Sequence, residues 1–334
     1  MKILITGGAG FLGQQLVRAL LQQGSIRLAD GSGKAADHPI SSIVCFDVME
    51  GRINDPKVVN KAGDIGDADT VAALVDKDTG VVVHLAAVVS GTAEADFDLG
   101  MRVNLDGTRH LLDACRAQGH RPRLLFSSSI AVFGGDLPEV VADDTTPTPQ
   151  GSYGIQKLIG ELLVQDFTRK GFIDGRSVRV PTATVRPGTP NGAASGFASG
   201  IIREPLSGVE ALLPVPEETA MWVASPRAIV GMFLHALMLS PADWGWQRSI
   251  NLPGFVVTMT QALATLREIG GDAAVALVKR QPDPQVQKLV STWAAHFDTA
   301  RAKKMGFVAD SDFGAIVRAY VEDNRGAVKV PVRV

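Results

Sequence analysis

Cysteine is almost missing from this chain. Its 334 residues include two, Cys45 and Cys115. They are far apart and each sits in an apolar stretch, so a disulfide scaffold and a cysteine-built metal centre are both excluded, and both are read as buried free thiols. Tyrosine is as scarce, with two in all, so any motif that uses one gains weight. No sign of charge dominates: 33 basic residues face 35 acidic ones for a net charge of −2. That balance lacks the electrostatic footprint of a nucleic-acid binder or of a protein held on an anionic membrane. Apolar runs are short or broken by charge, so no membrane span is expected. Met1 leads straight into an apolar stretch with no room for a cleavable leader. A soluble cytoplasmic protein is the expectation. Hydrophobic residues make up 46% of the chain, enough to build the core of one large domain or two smaller ones.

What is present is concentrated at the start. Lys2 to Thr6 is an apolar run of strand type, Gly7, Gly10 and Gly13 follow at three-residue spacing, and Leu12, Leu16, Val17, Leu20 and Leu21 then recur at helical spacing. Strand, glycine turn and helix make the opening unit of a dinucleotide-binding fold. Gly7 suits the tight turn, Gly10 a close approach of backbone to a pyrophosphate, and Gly13 close packing of helix on strand. Free N–H groups at the helix start, around Phe11 and Leu12, would face the phosphates. The predicted fold is therefore α/β, a Rossmann-type doubly wound parallel sheet, with a smaller C-terminal α/β domain. Residues 1–188 are assigned to the nucleotide-binding domain, with a return of the chain near 222–252, and 189–334 mainly to the substrate domain.

Two stretches compete to be the second strand. Ile26 to Asp30 has the usual interval of about 20 residues to an acidic residue. Ser42 to Asp47 is the better buried strand, and Gly31 to His38 looks like a polar insertion. Asp47 is preferred for the adenine ribose, with Asp30 as the fallback. Either carboxylate disfavours a 2′-phosphate, so NAD is expected rather than NADP. Val81 to Ala87 is a fully apolar run of central-strand type. Leu85 and the small Ala86 and Ala87 would let a dinucleotide cross the strand end, and Ser90 follows in a loop at the carboxyl edge. Asp96 to Ala117 reads as a long helix interrupted by Asn104, a residue that competes for backbone groups inside helices. Asp67 is placed as a helix cap.

The chemistry gathers further on. Arg123 to Ser129 is a strand ending in three serines, and Tyr153 and Lys157 stand four apart on one face of the following helix. A phenol is a poor base at neutral pH, and a neighbouring cation favours its ionised form. Thr182 to Gly188 is taken as the sixth strand of the sheet.

The Gly-x-x-Gly-x-x-Gly turn, the serine-tipped strand and the Tyr-x-x-x-Lys pair together resemble the short-chain dehydrogenase/reductase superfamily, and the length resembles its extended branch. The resemblance runs almost to the end, where Phe297 to Phe307 is similar to that branch's closing segment. It implies a catalytic set of Ser129, Tyr153, Lys157 and Asn104. It implies that Asp64 and Ile65 hold the adenine, that Ser127 lies near the nicotinamide, and that Pro187 lines it. Phe133 stands where nucleotide-sugar enzymes of the branch commonly have tyrosine. Ile130 and Ala131 replace the acidic pair of its dehydratases, and no aromatic or basic cluster for a nucleotide appears between 188 and 250. The segments 90–98, 186–191, 194–197, 203–206 and 224–227 are similar to a narrower group of sugar-acid dehydrogenases within the branch. That likeness implies NAD-dependent oxidation at C2 of a four-carbon acid of the D-erythronate type. A carboxylate needs a cation, and Arg186, Arg203 and Arg227 are the candidates; Ser90, Thr189 and Asn191 would bind hydroxyls. A nucleotide-sugar 4-epimerase with tightly held NAD is the competing expectation. A homodimer formed through the fourth and fifth helices is implied by the same resemblance.

Overall fold

Seven segments assemble one parallel sheet: β1 (Lys2–Thr6), β2 (Ser42–Asp47), β3 (Val58–Ala62), β4 (Thr79–His84), β5 (Arg123–Ser129), β6 (Asp174–Val180) and β7 (Ser249–Asn251). The structure, a computed structural model, describes residues 1–188 and 193–333. The strand order is β7-β6-β5-β4-β1-β2-β3, and every neighbouring pair is parallel. Parallel strands are covered by helices on both faces, which is why β1 and β4 show apolar runs without alternation. Ile3, Leu4, Ile5, Val81, Val82 and Val83 are all fully buried. The order reverses between β1 and β4, and ligands of such sheets bind at that reversal, beyond the carboxyl ends of the strands.

The main helices are α1 (Phe11–Gln23), α2 (Ala68–Ala72), α3 (Gly107–Gln118), α4 (Ser152–Arg169), α5 (Gly196–Leu206), α6 (Pro226–Met238), α7 (Met259–Ala276) and α8 (Phe313–Asp323). On one face of the sheet Leu16, Val17 and Leu20 of α1 and Ile229 and Phe233 of α6 pack on Ile3, Ile5 and Val83. On the other, Leu111 of α3 and Val164 of α4 pack on Leu4, Val82 and Phe126. A separate core joins α5, α7 and α8 through Ile201, Leu206, Leu266, Ile316 and Val317. Beside it Ala220–Ala224 pairs with Thr182–Ala183 and Phe255–Thr258 in a small sheet.

Two segments differ from expectation. Ile26 to Asp30 does not enter the sheet: Ser25–Ala29 and Ala35–Pro39 form an antiparallel hairpin, so the expected polar insertion is a folded element between α1 and β2. The sixth strand is Asp174–Val180, not the Thr182 to Gly188 stretch, whose first residues join the small sheet instead. The true strand is disguised by charge. Every residue of Asp174–Val180 is buried, because Asp174 is held by Arg123 at 2.9 Å and by Arg176 at 3.0 Å, and Arg179 by Glu161 at 2.8 Å. Pairing of this kind offsets the cost of burying these charges.

Candidate active site

At the turn after β1, Gly7 takes a φ of +71°, and a Cβ there would stand 2.7 Å from the Ala86 nitrogen. A Cβ on Gly13 would stand 2.3 Å from the Gly7 carbonyl. The first fixes how closely β4 passes the turn, and the second how closely α1 sits on it. Gly10 is the N-cap of α1 and supplies no side-chain cap, so the first-turn N–H groups of Phe11, Leu12 and Gly13 have no intrahelical partner. Asp47, at the end of β2, accepts the Ala9 N–H at 3.1 Å. Asp30 lies at the tip of the hairpin, where it accepts from Ser32 and Lys34. Asp64, just past β3, accepts the Gly66 N–H at 2.8 Å and pairs with Arg102. The Gly66 bond, with Arg102 beside it, holds its carboxyl below the usual range. Ile65 is buried under Gly107. Asp67 caps α2 by accepting from Asp69 and Thr70.

Asn104 is inside a helix, as expected, but the helix is not regular there. Met101–Asp106 widens into a π-helical turn between Phe97–Gly100 and α3, a distortion often found at functional sites. The Asn104 amide accepts the Val88 N–H at 2.9 Å and donates to the Val88 carbonyl at 3.1 Å and to Gln156 Oε1 at 2.8 Å. It thus ties the loop after β4 to α4. His84, given no chemistry from sequence, is buried between Thr6 at 2.7 Å and Thr108 at 2.9 Å. Thr108 donates to the Asn104 carbonyl, so its oxygen must accept from His84, which puts the histidine proton on Nε2. Burial holds His84 neutral, its pKa down to about 3.

Ser129, Tyr153 and Lys157 converge on one cavity of about 260 Å³. The Ser129 hydroxyl pulls the Tyr153 phenol toward its ionised form and accepts the Ala131 N–H at 3.1 Å. Lys157 donates to the Ser127 carbonyl at 2.8 Å, and its ammonium lies 5.6 Å from the centre of the Tyr153 ring. Ser128 turns away, donating to the buried Glu161 at 2.5 Å. Burial pushes the phenol up to about 12, against the pull of Ser129 and Arg186. Burial also brings Lys157 down to about 7, with Glu161 opposing it. The cation that pulls the phenol down is Arg186 rather than the expected Lys157, and desolvation outweighs it.

The three candidate arginines separate cleanly. Arg186 lines the cavity; its guanidinium meets the Ser195 hydroxyl at 3.3 Å and has no acidic partner among the described residues. Burial, followed by Arg203, depresses its pKa to about 10. Arg203 does not line the cavity: it pairs with Glu204 at 2.5 Å and donates to the Arg186 carbonyl at 2.9 Å, so it holds Arg186 from behind. Arg227 is removed from the candidates, because it sits on the surface in ion pairs with Glu322 at 3.1 Å and Asp323 at 2.5 Å.

Of the remaining residues, Leu12, Leu85, Ala87, Ser90 and Ser127 line the same cavity. Ser90 accepts the Ala194 N–H at 3.4 Å. Phe11 and Pro187 instead line a neighbouring groove along α1. Thr189 and Asn191 lie outside the described residues. Sequence reasoning missed Glu94, Met221, Trp222 and Trp293, which also line the cavity. Glu94 accepts the Ser152 N–H at 2.9 Å and so caps α4, whose own N-cap Gly151 has no side chain to do it. The usable signal for the tryptophans was their rarity, four in the chain.

The chain matches the NAD dependent epimerase/dehydratase family over residues 3–220. It belongs to that family. It is 51% identical to a D-erythronate dehydrogenase of Cupriavidus necator, over 97% of this chain and 98% of the relative. It is 41% identical to a D-erythronate dehydrogenase of Haemophilus influenzae, over 96% of this chain and 99% of that one. Among solved structures, a nucleoside-diphosphate-sugar epimerase from Agrobacterium tumefaciens superposes with a TM-score of 0.89 at 42% identity, covering 98% of this chain and 95% of that one. The chain is an NAD-dependent oxidoreductase of the extended short-chain dehydrogenase type. The turn at Gly7–Gly13 fits the cofactor, since it leaves uncapped helix N–H groups beside a Gly10 whose missing side chain would meet only the Gly7 carbonyl. The described residues contain no cluster of metal-binding side chains and no helix long and apolar enough to cross a membrane.

Proposed function

We propose that this enzyme oxidises the C2 hydroxyl of a four-carbon sugar acid of the D-erythronate class to the 2-oxo acid. The observation that carries this reading is Arg186, a desolvated guanidinium without an acidic partner among the described residues, facing Tyr153 in the cavity that Ser129 completes. Such a group calls for an anion from the substrate, and a planar guanidinium grips a carboxylate through two parallel bonds. The names of the two dehydrogenase relatives point the same way, while that of the Agrobacterium tumefaciens structure points to the competing epimerase.

NAD, when bound, supplies the acceptor for the C2 hydride. Gly7, Gly10 and Gly13 with the first turn of α1 would hold its pyrophosphate, Asp47 the adenine ribose, Asp64 and Ile65 the adenine, and Leu85, Ala86, Ala87 and Ser127 the nicotinamide half. Tyr153 takes the C2 hydroxyl proton at its phenol oxygen. Ser129, which lines the cavity with that phenol, holds the substrate oxygen beside it. Lys157 and Arg186 favour the phenolate that burial opposes, and Asn104 keeps the β4 loop in register with α4. We read residues 1–188, with the return at 222–252, as the cofactor half and 189–334 as mainly the substrate half.

The test is steady NADH formation from NAD with a panel of four-carbon acids including D-erythronate and L-threonate. Turnover of one acid is expected, falling by about two orders of magnitude or more in Tyr153→Phe, as for a lost acid–base group. Interconversion of a nucleotide sugar on retained NAD, with no acid oxidised, would overturn the reading in favour of the epimerase.

A further inference from the structure

Three groups of residues stand out in the lining of the cavity. The ends of β4 and β5 and the neighbouring Leu12 form one. Arg186, Ser195 and Ser90 form the second. The third comes from the C-terminal half of the chain: Met221, Trp222, Leu289, Thr292 and Trp293. If the carboxylate is held at Arg186 and C2 at Tyr153, the rest of the acid extends toward that third wall.

Trp293 differs from the other tryptophans. Trp222 spends its indole N–H on the Leu252 carbonyl at 3.3 Å, and Trp244 on the Arg248 carbonyl at 3.1 Å. Trp246 is 80% exposed on the surface. Trp293 lines the cavity with its ring packed against the second core, and no partner for its indole N–H is found among the described residues. The other polar side chain of that wall is already engaged, since Thr292 donates to the Leu289 carbonyl at 2.8 Å. A rigid ring with one free donor gives both a steric stop and a single hydrogen bond.

We infer that Trp293 is the chain-length gauge of the site: its ring ends the space beyond C4, and its indole N–H meets the terminal hydroxyl of the acid. This rests on the proposed function for where the acid lies, and it goes beyond it in naming what limits the substrate. Trp293 stands on the turn after the short helix Pro284–Val290, outside the sheet that carries the catalytic residues, so length selection is separable from chemistry.

The experiment compares kcat/KM for a four-carbon aldonate and its five- and six-carbon homologues in the wild-type enzyme, Trp293→Ala and Trp293→Phe. Wild-type turnover of the four-carbon acid is read first; its absence overturns the proposed function and this inference with it, whereas turnover leaves the ratios below to test the inference alone. Trp293→Ala is expected to shift the five- to four-carbon ratio by tenfold or more, with NAD binding unchanged. Trp293→Phe is expected to keep the length preference while raising KM for the four-carbon acid about three- to tenfold, the size of one lost hydrogen bond. Folded Trp293→Ala enzyme with an unchanged ratio overturns the inference. Should Trp293→Ala unfold, Leu289→Ala opens the same wall by a smaller step, and an unchanged ratio there overturns it equally.

Discussion

At the scale of single residues, local pattern was informative where the chemistry itself is local. Tyr153 and Lys157 share one helix face by spacing alone, and Ser129 ends the strand beside them. The arginines were not separable in that way, because each one's role depends on a partner distant in sequence: Asp323 removes Arg227, and Glu204 occupies Arg203. The choice between Asp30 and Asp47 likewise turned on the sheet, which admits Ser42–Asp47 beside β1. Asp47 is the residue expected to set the cofactor preference. Asp47→Ser removes the carboxylate that would repel a 2′-phosphate, so the ratio of kcat/KM for NAD over NADP is expected to fall about tenfold or more. A ratio that does not move would place the adenine ribose elsewhere.

Among the elements, the strongly apolar strands and the glycine turn were legible, and the charged strand was not. Asp174–Val180 carries an aspartate and two arginines, a composition that reads as surface until Arg123 and Glu161 are brought in from other strands and helices. The hairpin at Ser25–Pro39 was hidden for a different reason: its outer positions are polar and it pairs only with itself. It is anchored from below by Arg123, which donates to the Ala29 carbonyl at 2.6 Å. The π-helical turn at Asn104 was signalled only as an oddity in a helix. Its three side-chain bonds predict a measurable cost of loss. Asn104→Ala leaves Val88 and Gln156 short of partners, and each unmet buried group costs about 1–3 kcal/mol. Chemical denaturation should show a stability loss of about 2 kcal/mol or more; a loss under about 0.5 kcal/mol would deny the tie between the β4 loop and α4.

For the whole molecule, the sheet and the second core each supply walls of one cavity, so neither half alone would make the site. The apolar composition allowed one large domain or two smaller ones and did not locate where the sheet and the second core meet, because that line is drawn by contacts between distant segments. The outer face of α4 carries exposed apolar side chains: Ile155 and Leu162, seven apart, are 46% and 59% exposed. That face is where the expected homodimer would close. Light scattering should give a dimer mass for the wild-type chain and a monomer mass for Leu162→Glu, and a monomeric wild type would exclude it. The most direct measurement of all concerns the charge in the cavity: kcat/KM for D-erythronate against the neutral four-carbon polyol erythritol, in wild type and in Arg186→Met. The predicted result is a wild-type preference for the acid that falls about 10- to 100-fold in the variant, mainly through KM, as a charge-assisted bond worth about 1.5–3 kcal/mol is lost. An acid preference that survives intact in folded Arg186→Met would contradict the assignment of this site to a sugar acid held at Arg186.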